Sequence, residues 1–301
     1  MTRRFRQLLT GLVLSLSLLI SSRVEAFVIA SSGWIITDTI TLPHRYFYDI
    51  EVDASGNLYV SNCGDSILKI DTANHVTSWS NAKVCDLTWS GSGIAYGADG
   101  SVIRAIAPDG TFSTLGPDSA AWNAVVGLTD GSLYANARCC DRPGLYRIDV
   151  TSGQATPIVV GGPGPGGTGS YGGMAEGADG KVYTLASDGA AGQLYRLDGS
   201  QLILVATFPR VGGHLSRGPG GTFLTDVVYP TTTGSNYGEI HLLDPVLGTS
   251  SVVARSGIDG AHLYPYMTGV TFDPNTQTAY VLESTDKIWV LKKIPPIVAS
   301  F

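Results

Sequence analysis

The segment that decides the fold is YDIEVDASGNLYVSNCGDSILKIDTANHVTSWS, from Tyr48 to Ser80. It holds four short stretches in which apolar and polar residues alternate, and Gly56 stands in the turn between the first two. A period of two residues is typical of half-buried β-strands, and short polar turns are typical of antiparallel hairpins. The segment therefore predicts a small sheet in which four successive strands pair with their neighbours.

The same pattern recurs along the chain in units of roughly forty residues. A glycine occupies the first turn of five units and Gln277 that of the sixth, and a tyrosine follows three residues later except in the fifth unit. The turn glycines are Gly56, Gly93, Gly131, Gly180 and Gly221, and the tyrosines are Tyr59, Tyr96, Tyr134, Tyr183 and Tyr280. Repeated four-stranded units of this length predict an all-β fold, a six-bladed β-propeller.

The sixth unit lacks a fourth strand, because only IPPIVASF follows its third. A lone strand, WIITDTITL from Trp34 to Leu42, precedes the first unit and is predicted to complete the last blade. This N-terminal strand would close the ring and leave no open sheet edge. The alternatives are an open β-solenoid and two stacked sandwiches.

The first 26 residues have the pattern of a secretory signal peptide. Arg3, Arg4 and Arg6 precede an apolar run from Leu8 to Ile20, and small residues end at Ala26. We therefore expect cleavage near Ala26, a propeller domain over 27–301, and a secreted or periplasmic protein. The alternative is an uncleaved anchor, but an apolar run of about thirteen residues is short for a bilayer, so no stable membrane insertion is expected.

The composition excludes several classes of protein. Only 15% of the 301 residues are charged, and the formal net charge is −6. Nucleic-acid binding requires a basic surface, so a nucleic-acid partner is not expected. We expect a monomer whose partner is a small-molecule ligand.

All four cysteines follow the signal peptide, and export favours disulfide bonds. Cys63 and Cys85 belong to adjacent blades on one face of the disc, so a bridge between them is geometrically reasonable. Cys139 and Cys140 would then form a bridge between sequence neighbours. The competing arrangement links Cys63 or Cys85 to the third blade.

The long connections are predicted to lie on one side of the disc. In each blade the turns after the first and third strands are short, whereas the loops after the second and fourth strands include 161–173, 230–238 and 255–267. We call the side with these loops the long-loop face and the opposite side the turn face. Variable loops on a rigid scaffold usually carry the binding site, so the site is predicted on the long-loop face.

The candidate ligand-binding residues combine aromatic and polar side chains at inner-strand starts and in the long loops. They are Tyr48, Asp49, Asp86, Asn123, Tyr171, Tyr229, His262, Tyr264 and Tyr266. Such a lining suits a small, partly apolar or aromatic metabolite. The alternative for each residue is a role in packing or in capping a loop.

Two stretches, VDASGNLYVSN at 52–62 and EGADGKVYTLA at 176–186, resemble NHL-repeat propellers and, more loosely, senescence-marker and gluconolactonase-like proteins. The looser resemblance implies one divalent metal over the central channel, held by a first-blade Glu, two Asn and an Asp. Only Asn123 matches this set, because Phe47 and Tyr48 stand near the place of the Glu. The lactonase site is therefore not reproduced. A different calcium site, formed by Asp49, Asp86 and Asn123, stays open because Ca²⁺ takes oxygen ligands.

His214 and Asp226 are the candidate catalytic residues. His214 is expected at an inner-strand start and Asp226 at the end of the neighbouring strand, where the pair could act as a general base. The alternative is a structural histidine of the channel. Three functions are compatible with the sequence: a lyase, cyclase or hydrolase acting by orientation and acid–base assistance, a non-catalytic propeller that binds a ligand or protein, and a calcium-dependent lactonase or esterase. The sequence requires no cofactor.

Overall fold

The computed structural model describes residues 28–44, 46–115, 121–137, 142–163, 170–187, 191–230, 236–256 and 267–294. Their strands form six antiparallel sheets arranged around a central channel. Five sheets have four strands and one has five. The fold is a six-bladed β-propeller, as predicted, and the solenoid and sandwich alternatives are wrong. No helix in these ranges is long and apolar enough to cross a membrane.

Two N-terminal strands, β1 (Val28–Ala30) and β2 (Trp34–Thr41), precede the first blade. Blade one contains β3 (Asp49–Val52), β4 (Leu58–Ser61), β5 (Ile67–Ile70) and β6 (Val76–Ser80). Blade two contains β7 (Asp86–Trp89), β8 (Ala95–Ala98), β9 (Ile103–Ile106) and β10 (Phe112–Leu115). Blade three contains β11 (Trp122–Gly127), β12 (Leu133–Ala137), β13 (Gly144–Ile148) and β14 (Ala155–Val160).

Blade four contains β15 (Ser170–Glu176), β16 (Val182–Ser187), β17 (Gly192–Asp198) and β18 (Gln201–Phe208). Blade five contains β19 (Ser216–Arg217), β20 (Phe223–Pro230), β21 (Asn236–Asp244) and β22 (Thr249–Ser256), with a 3₁₀ turn at Pro219–Gly221. Blade six contains β23 (Met267–Asp273), β24 (Thr278–Glu283) and β25 (Lys287–Lys293). The first strand of each blade lines the central channel.

The N-terminal segment closes the ring at two blades. Strand β2 pairs antiparallel with β25, from Trp34 opposite Lys293 to Thr41 opposite Lys287, which confirms the predicted closure of blade six. Strand β1 adds a fifth strand to blade five by pairing with β22. The sequence analysis missed β1 because three residues are too few to show an alternating pattern.

The first turn of each unit requires a left-handed backbone. Gly56 has φ +82°, and the other four turn glycines also have positive φ. Gln277, which replaces glycine in blade six, adopts φ +55°. A side chain is tolerated there at some cost in backbone strain.

The core lies between the blades. One apolar cluster joins blade six to blade one and includes Ile50, Leu58, Leu282 and Ile288, all buried. Ile40 of β2 belongs to the same cluster, so burial of the N-terminal strand stabilises the closure.

The predicted disulfide between Cys63 and Cys85 is confirmed. It joins the loop after β4 to the residue before β7, and therefore links blade one to blade two on the long-loop face. Cys139 and Cys140 lie outside the described residues.

The closing strand offers a matched pair of substitutions. Ile40→Ala removes a side chain that is 5% exposed and is expected to lower the free energy of unfolding by about 3 kcal/mol. Ile35→Ala, on the same strand at 46% exposure, is the control and should cost well under about 1 kcal/mol. Urea unfolding measures both, and equal losses would contradict a closure that depends on burial.

The disulfide spans 22 residues and restricts the unfolded chain. The double variant Cys63→Ala/Cys85→Ala is expected to lose about 3 kcal/mol of stability in urea unfolding. An unchanged unfolding midpoint would contradict a stabilising role of the bridge.

Candidate functional site

Carboxylates at the channel tie neighbouring blades together. Asp49 starts β3, and its Oδ2 accepts a hydrogen bond of 2.6 Å from the backbone N–H of Leu87 in blade two. Asp86 starts β7, and its Oδ2 accepts one of 2.7 Å from Val125 in blade three. Each carboxylate therefore satisfies a main-chain donor of the next inner strand.

His214 lies beside Asp49 in the channel. Its Nε2 is 2.9 Å from the carbonyl oxygen of Val270, and its Nδ1 is 3.1 Å from Asp49 Oδ1. A carbonyl oxygen only accepts, so Nε2 must carry a proton and donate it. Nδ1 faces the Asp49 carboxylate, so both ring nitrogens are engaged.

Asp226 has a different partner from the one that the sequence suggested. Its Oδ1 accepts a hydrogen bond of 2.8 Å from the backbone N–H of His214. The imidazole itself contacts Asp49, which the sequence predicts as a ligand-binding residue and a possible calcium ligand. Asp226 therefore holds the main chain of His214, and a catalytic role for either residue stays a prediction.

Asn123 links blade three to blade four. Its Nδ2 is 3.3 Å from the carbonyl oxygens of Tyr171 and Gly172 and from Oδ1 of Asn136. Asn136, fully buried, donates in turn to Gly172 O at 2.8 Å. The two amides thus bind the backbone at the point where β15 approaches the channel.

The channel carboxyl groups hold their protons more tightly than usual. Burial raises the pKa of Asp86 well above its ordinary value, and the charge of Asp49 raises it further, against the opposing effect of the Val125 N–H. Burial also raises the pKa of Asp49, which the positive charge of His214 opposes. For Asp226, too, burial raises the pKa and His214 counteracts it.

Glu51 is a channel residue that the sequence analysis missed. Burial raises the pKa of its carboxyl group well above the ordinary value, and the charges of Asp49 and Asp86 add to this effect. Its Oε2 accepts a hydrogen bond from Thr271 Oγ1 in blade six at 3.4 Å. The signal was present, because residues two apart on a strand share one side and Asp49 faces the channel.

Among the predicted inner-strand residues, Asp86 and Asn123 are half-buried, whereas Asp49 is only 1% exposed. Only Oδ2 of Asp86 has a hydrogen-bond partner among the described residues. Its Oδ1 therefore has no partner within the described part of the chain.

The described members of the predicted aromatic set, Tyr48, Tyr171 and Tyr229, do not line a common pocket. Tyr171 is 2% exposed, packs in the core and donates to Gly161 O at 3.1 Å, so it acts as a core residue. Tyr48 is 48% exposed, and the Tyr229 ring lies 5.0 Å from the Arg210 guanidinium. His262, Tyr264 and Tyr266 lie outside the described residues.

The donor atoms present differ from those of the predicted calcium site. Among the described residues, one ligand atom each of Asp49, Glu51 and His214 lies within 4.8 Å of the others. Imidazole nitrogen is not a usual ligand of Ca²⁺, which prefers oxygen. The set of Asp49, Glu51 and His214 therefore fits Ca²⁺ poorly. A calcium site at Asp49, Asp86 and Asn123 stays a prediction.

A cavity of about 550 Å³ opens on the turn face. Glu51, Thr88, Ser216 and Thr271 line it on the channel side, and the turns that follow the inner strands form its rim. The sequence analysis placed the site on the opposite face and did not anticipate this cavity.

Comparison with known proteins supports the fold. No family profile and no curated protein matches the sequence. Among solved structures, virginiamycin B lyase from Staphylococcus aureus is 15% identical with a TM-score of 0.61, covering 87% of this chain and all of its own. A second structure of that lyase is a catalytically inactive histidine-to-alanine variant with quinupristin.

Two further enzymes have the same architecture. A gluconolactonase from Xanthomonas campestris is 14% identical with a TM-score of 0.62, covering 91% of this chain and 99% of its own. The PQQ domain of pyranose dehydrogenase from Coprinopsis cinerea is 10% identical with a TM-score of 0.66, covering 89% and 97%. At these identities the similarity shows the six-bladed propeller fold alone.

The raised pKa of Glu51 makes stability depend on pH. The folded state holds a proton that the unfolded state has released, so stability falls as the pH rises from the ordinary pKa of a glutamate through the raised one. Glu51→Gln removes this contribution. We expect the variant to equal the wild type at about pH 3.5 and to exceed it at about pH 8 in urea unfolding. If the wild type became more stable relative to Glu51→Gln as the pH rises, the pKa of Glu51 would not be raised by burial.

Proposed function

We propose that this protein is an exported propeller enzyme that binds a small, partly apolar metabolite on the long-loop face and acts on it by acid–base catalysis. Asp86 transfers the proton, and the Asp49–His214 pair positions it and supplies its electrostatic surroundings. The observation that carries the proposal is the second carboxyl oxygen of Asp86, half-buried at the channel and without a hydrogen-bond partner among the described residues.

Neighbouring carboxylates support a division of roles. Asp49 receives two main-chain N–H donors and the His214 imidazole, all of which stabilise its ionised form. Asp86 receives one N–H donor, and burial together with the negative charge of Asp49 favours its protonated form. Burial raises the pKa of both groups, that of Asp86 further, so the pair provides an acid beside a more readily ionised carboxylate.

This arrangement suits a reaction in which an oxygen leaving group must be protonated. In hydrolysis a water oxygen bonds to the carbonyl carbon, the Asp86 carboxyl group gives its proton to the leaving oxygen as the carbon–oxygen bond breaks, and the carboxylate recovers a proton from the added water. In elimination the carbon–hydrogen electron pair forms the double bond as the carbon–oxygen bond breaks, and the carboxylate takes up the proton from carbon. Asn123, next to Asp86 on the following blade, would orient a polar group of the substrate. Hydrolysis of an ester or lactone and elimination from an ester both meet this requirement.

The comparisons support a catalytic propeller in general terms. Structures with this architecture include a lyase, a gluconolactonase and a dehydrogenase domain, and one histidine of the lyase is required for its activity. In this chain His214 has both nitrogens engaged, so we assign it a positioning role through Asp49. The alternative, a non-catalytic ligand-binding propeller, is favoured by the use of Asp49, Asp86 and Asn123 as links between blades.

The secreted protein, residues 27–301, should be assayed against lactones, aryl esters and depsipeptides. Asp86→Asn is expected to lower kcat/KM by about 10²–10⁴-fold on a substrate that the wild type turns over. Asp99→Asn is the control, since Asp99 belongs to the same blade but pairs with Arg104 at 3.1 Å. It should stay within about twofold of the wild type.

The positioning role of His214 has its own readout. His214→Gln should shift the pH profile of kcat/KM, because the charge that balances Asp49 beside Asp86 is lost.

Full activity of Asp86→Asn would overturn the catalytic assignment. A wild type that turns over none of these substrates but retains a bound organic ligand in native mass spectra would establish the non-catalytic alternative.

A further inference from the structure

Two β-bulges meet at the long-loop end of the channel. In β11 the register with β12 shifts between Trp122 and Ala124, so Asn123 stands outside the regular ladder. In β15 the register with β16 shifts between Tyr171 and Met174, and Gly172 lies in this bulge. Bulges redirect side chains and are common beside active sites. Here one bulge presents an amide side chain, and the other presents a main-chain carbonyl group.

The carbonyl oxygen of Gly172 holds two side-chain amides at once. It accepts a hydrogen bond from Nδ2 of Asn136 at 2.8 Å and one from Nδ2 of Asn123 at 3.3 Å. A carbonyl oxygen has two lone pairs, so both are in use. Asn136 is fully buried on β12, and its Oδ1 accepts from the same Asn123 nitrogen at 3.3 Å. Asn136 therefore bridges the two bulges.

These contacts decide how the Asn123 amide is oriented. Its Nδ2 is also 3.3 Å from the carbonyl oxygen of Tyr171. Carbonyl oxygens only accept, so the Asn123 atom that faces Tyr171 and Gly172 must be the nitrogen. Three acceptors surround its two N–H groups, and the nitrogen has no proton left to donate to a ligand.

The oxygen of the same amide is in the opposite situation. Asn123 is half-buried, and its Oδ1 has no hydrogen-bond partner among the described residues. Some side-chain atoms in this part of the chain, such as Thr268 Oγ1, lack a partner and are also closed to solvent, but Asn123 Oδ1 is not one of them. It is therefore an acceptor that solvent or a ligand can reach.

We propose that Asn136 is a positioning residue that makes Asn123 purely a hydrogen-bond acceptor, so that this end of the channel selects ligands with a hydroxyl or N–H donor. The inference rests on the proposed function in one respect, the binding of substrate beside Asp86 and Asn123. A ligand with a second acceptor in place of the donor leaves the Asn123 oxygen unpaired and binds more weakly.

The positioning role can be measured without a substrate. In ¹⁵N-labelled protein over residues 27–301, the side-chain NH₂ protons of Asn123 should exchange slowly with solvent, because acceptors hold both of them. Asn136→Ala should raise their exchange rate at least about tenfold. Asn57 is the control in the same spectrum, since its Nδ2 donates to Asp53 at 2.8 Å on the turn face and its exchange should not change. Unchanged exchange at Asn123 would overturn the positioning role.

A second variant separates a lost contact from a lost fold. Asn136→Leu has a side chain of similar volume and removes the same hydrogen bonds without leaving a cavity. If exchange at Asn57 also rises in Asn136→Ala, Asn136→Leu decides the question. Faster exchange at Asn123 alone supports the positioning role, and equal changes at Asn123 and Asn57 in both variants would overturn it.

The selectivity is tested with two probes that differ in one group. N-methyl-N-phenyl-2-hydroxypropanamide has one donor, its hydroxyl group, and the 2-methoxy analogue has none. Neither is an ester, so binding is measured apart from turnover. We expect the hydroxy compound to shift the side-chain signals of Asn123 and to bind at least about tenfold more tightly than the methoxy compound. Absence of this binding, or equal affinity of the two probes, would overturn the selectivity.

Substitutions show whether the preference depends on the two amides. Asn123→Ala and Asn136→Leu should each reduce it to within about twofold. Ser256→Ala is the control, because Ser256 is 2% exposed and its Oγ bonds to Gly238 within blade five. It should keep the full preference. A preference that survives in Asn123→Ala would overturn the proposal.

These measurements stand apart from the proposed chemistry. If the probes bind with the expected preference but no ester is turned over, the catalytic proposal fails and the acceptor role of Asn123 is supported. If esters are turned over but the two probes bind equally, the catalytic proposal stands and the acceptor role is overturned.

Discussion

The structure depends on side chains that cross from one blade to the main chain of the next. Asp49 binds the N–H of Leu87, Asp86 that of Val125, and His214 the carbonyl of Val270. Inner strands meet at the channel, where their edges leave main-chain groups that no strand of the same sheet pairs. Burying such groups without a partner is costly, so the polar residues of the channel are first of all structural. A reaction at the channel can therefore use only those polar atoms that are not already engaged in hydrogen bonds between blades.

Local patterns were enough to predict the fold. Alternation and a regularly placed turn glycine gave six units, and the missing fourth strand of the last unit assigned Trp34–Thr41 to β25. The disulfide followed from the positions of Cys63 and Cys85 on adjacent blades. Strand β1 could not be predicted, because its pairing with β22 depends on where the ring leaves an edge and not on its own three residues.

The site could be predicted only in part, since its geometry arises between blades. Counting from the turns brought Asp49, Asp86, Asn123 and His214 to the channel correctly, but spacing does not say which of them touch. The His214 imidazole contacts Asp49, whereas Asp226 accepts from the backbone N–H of His214. Tyr171 packs in the core instead of lining a pocket. Glu51 is the third residue of β3 and not a strand start, so counting from the turns does not select it, although strand periodicity places it on the same side as Asp49.

The double attachment of the N-terminal segment has a consequence for the order of folding. Strands β1 and β2 are made first, yet their partners β22 and β25 are made last, and Thr37 bonds to a residue 253 positions away. Contacts of such long range slow folding, because the intervening loop must close before they form. While synthesis continues, blades can assemble one after another, but the outer edges of blades five and six stay unpaired. In that interval those edges are open to pairing with a second nascent chain. The pairing of β1 and β2 at the end of folding removes this route to aggregation.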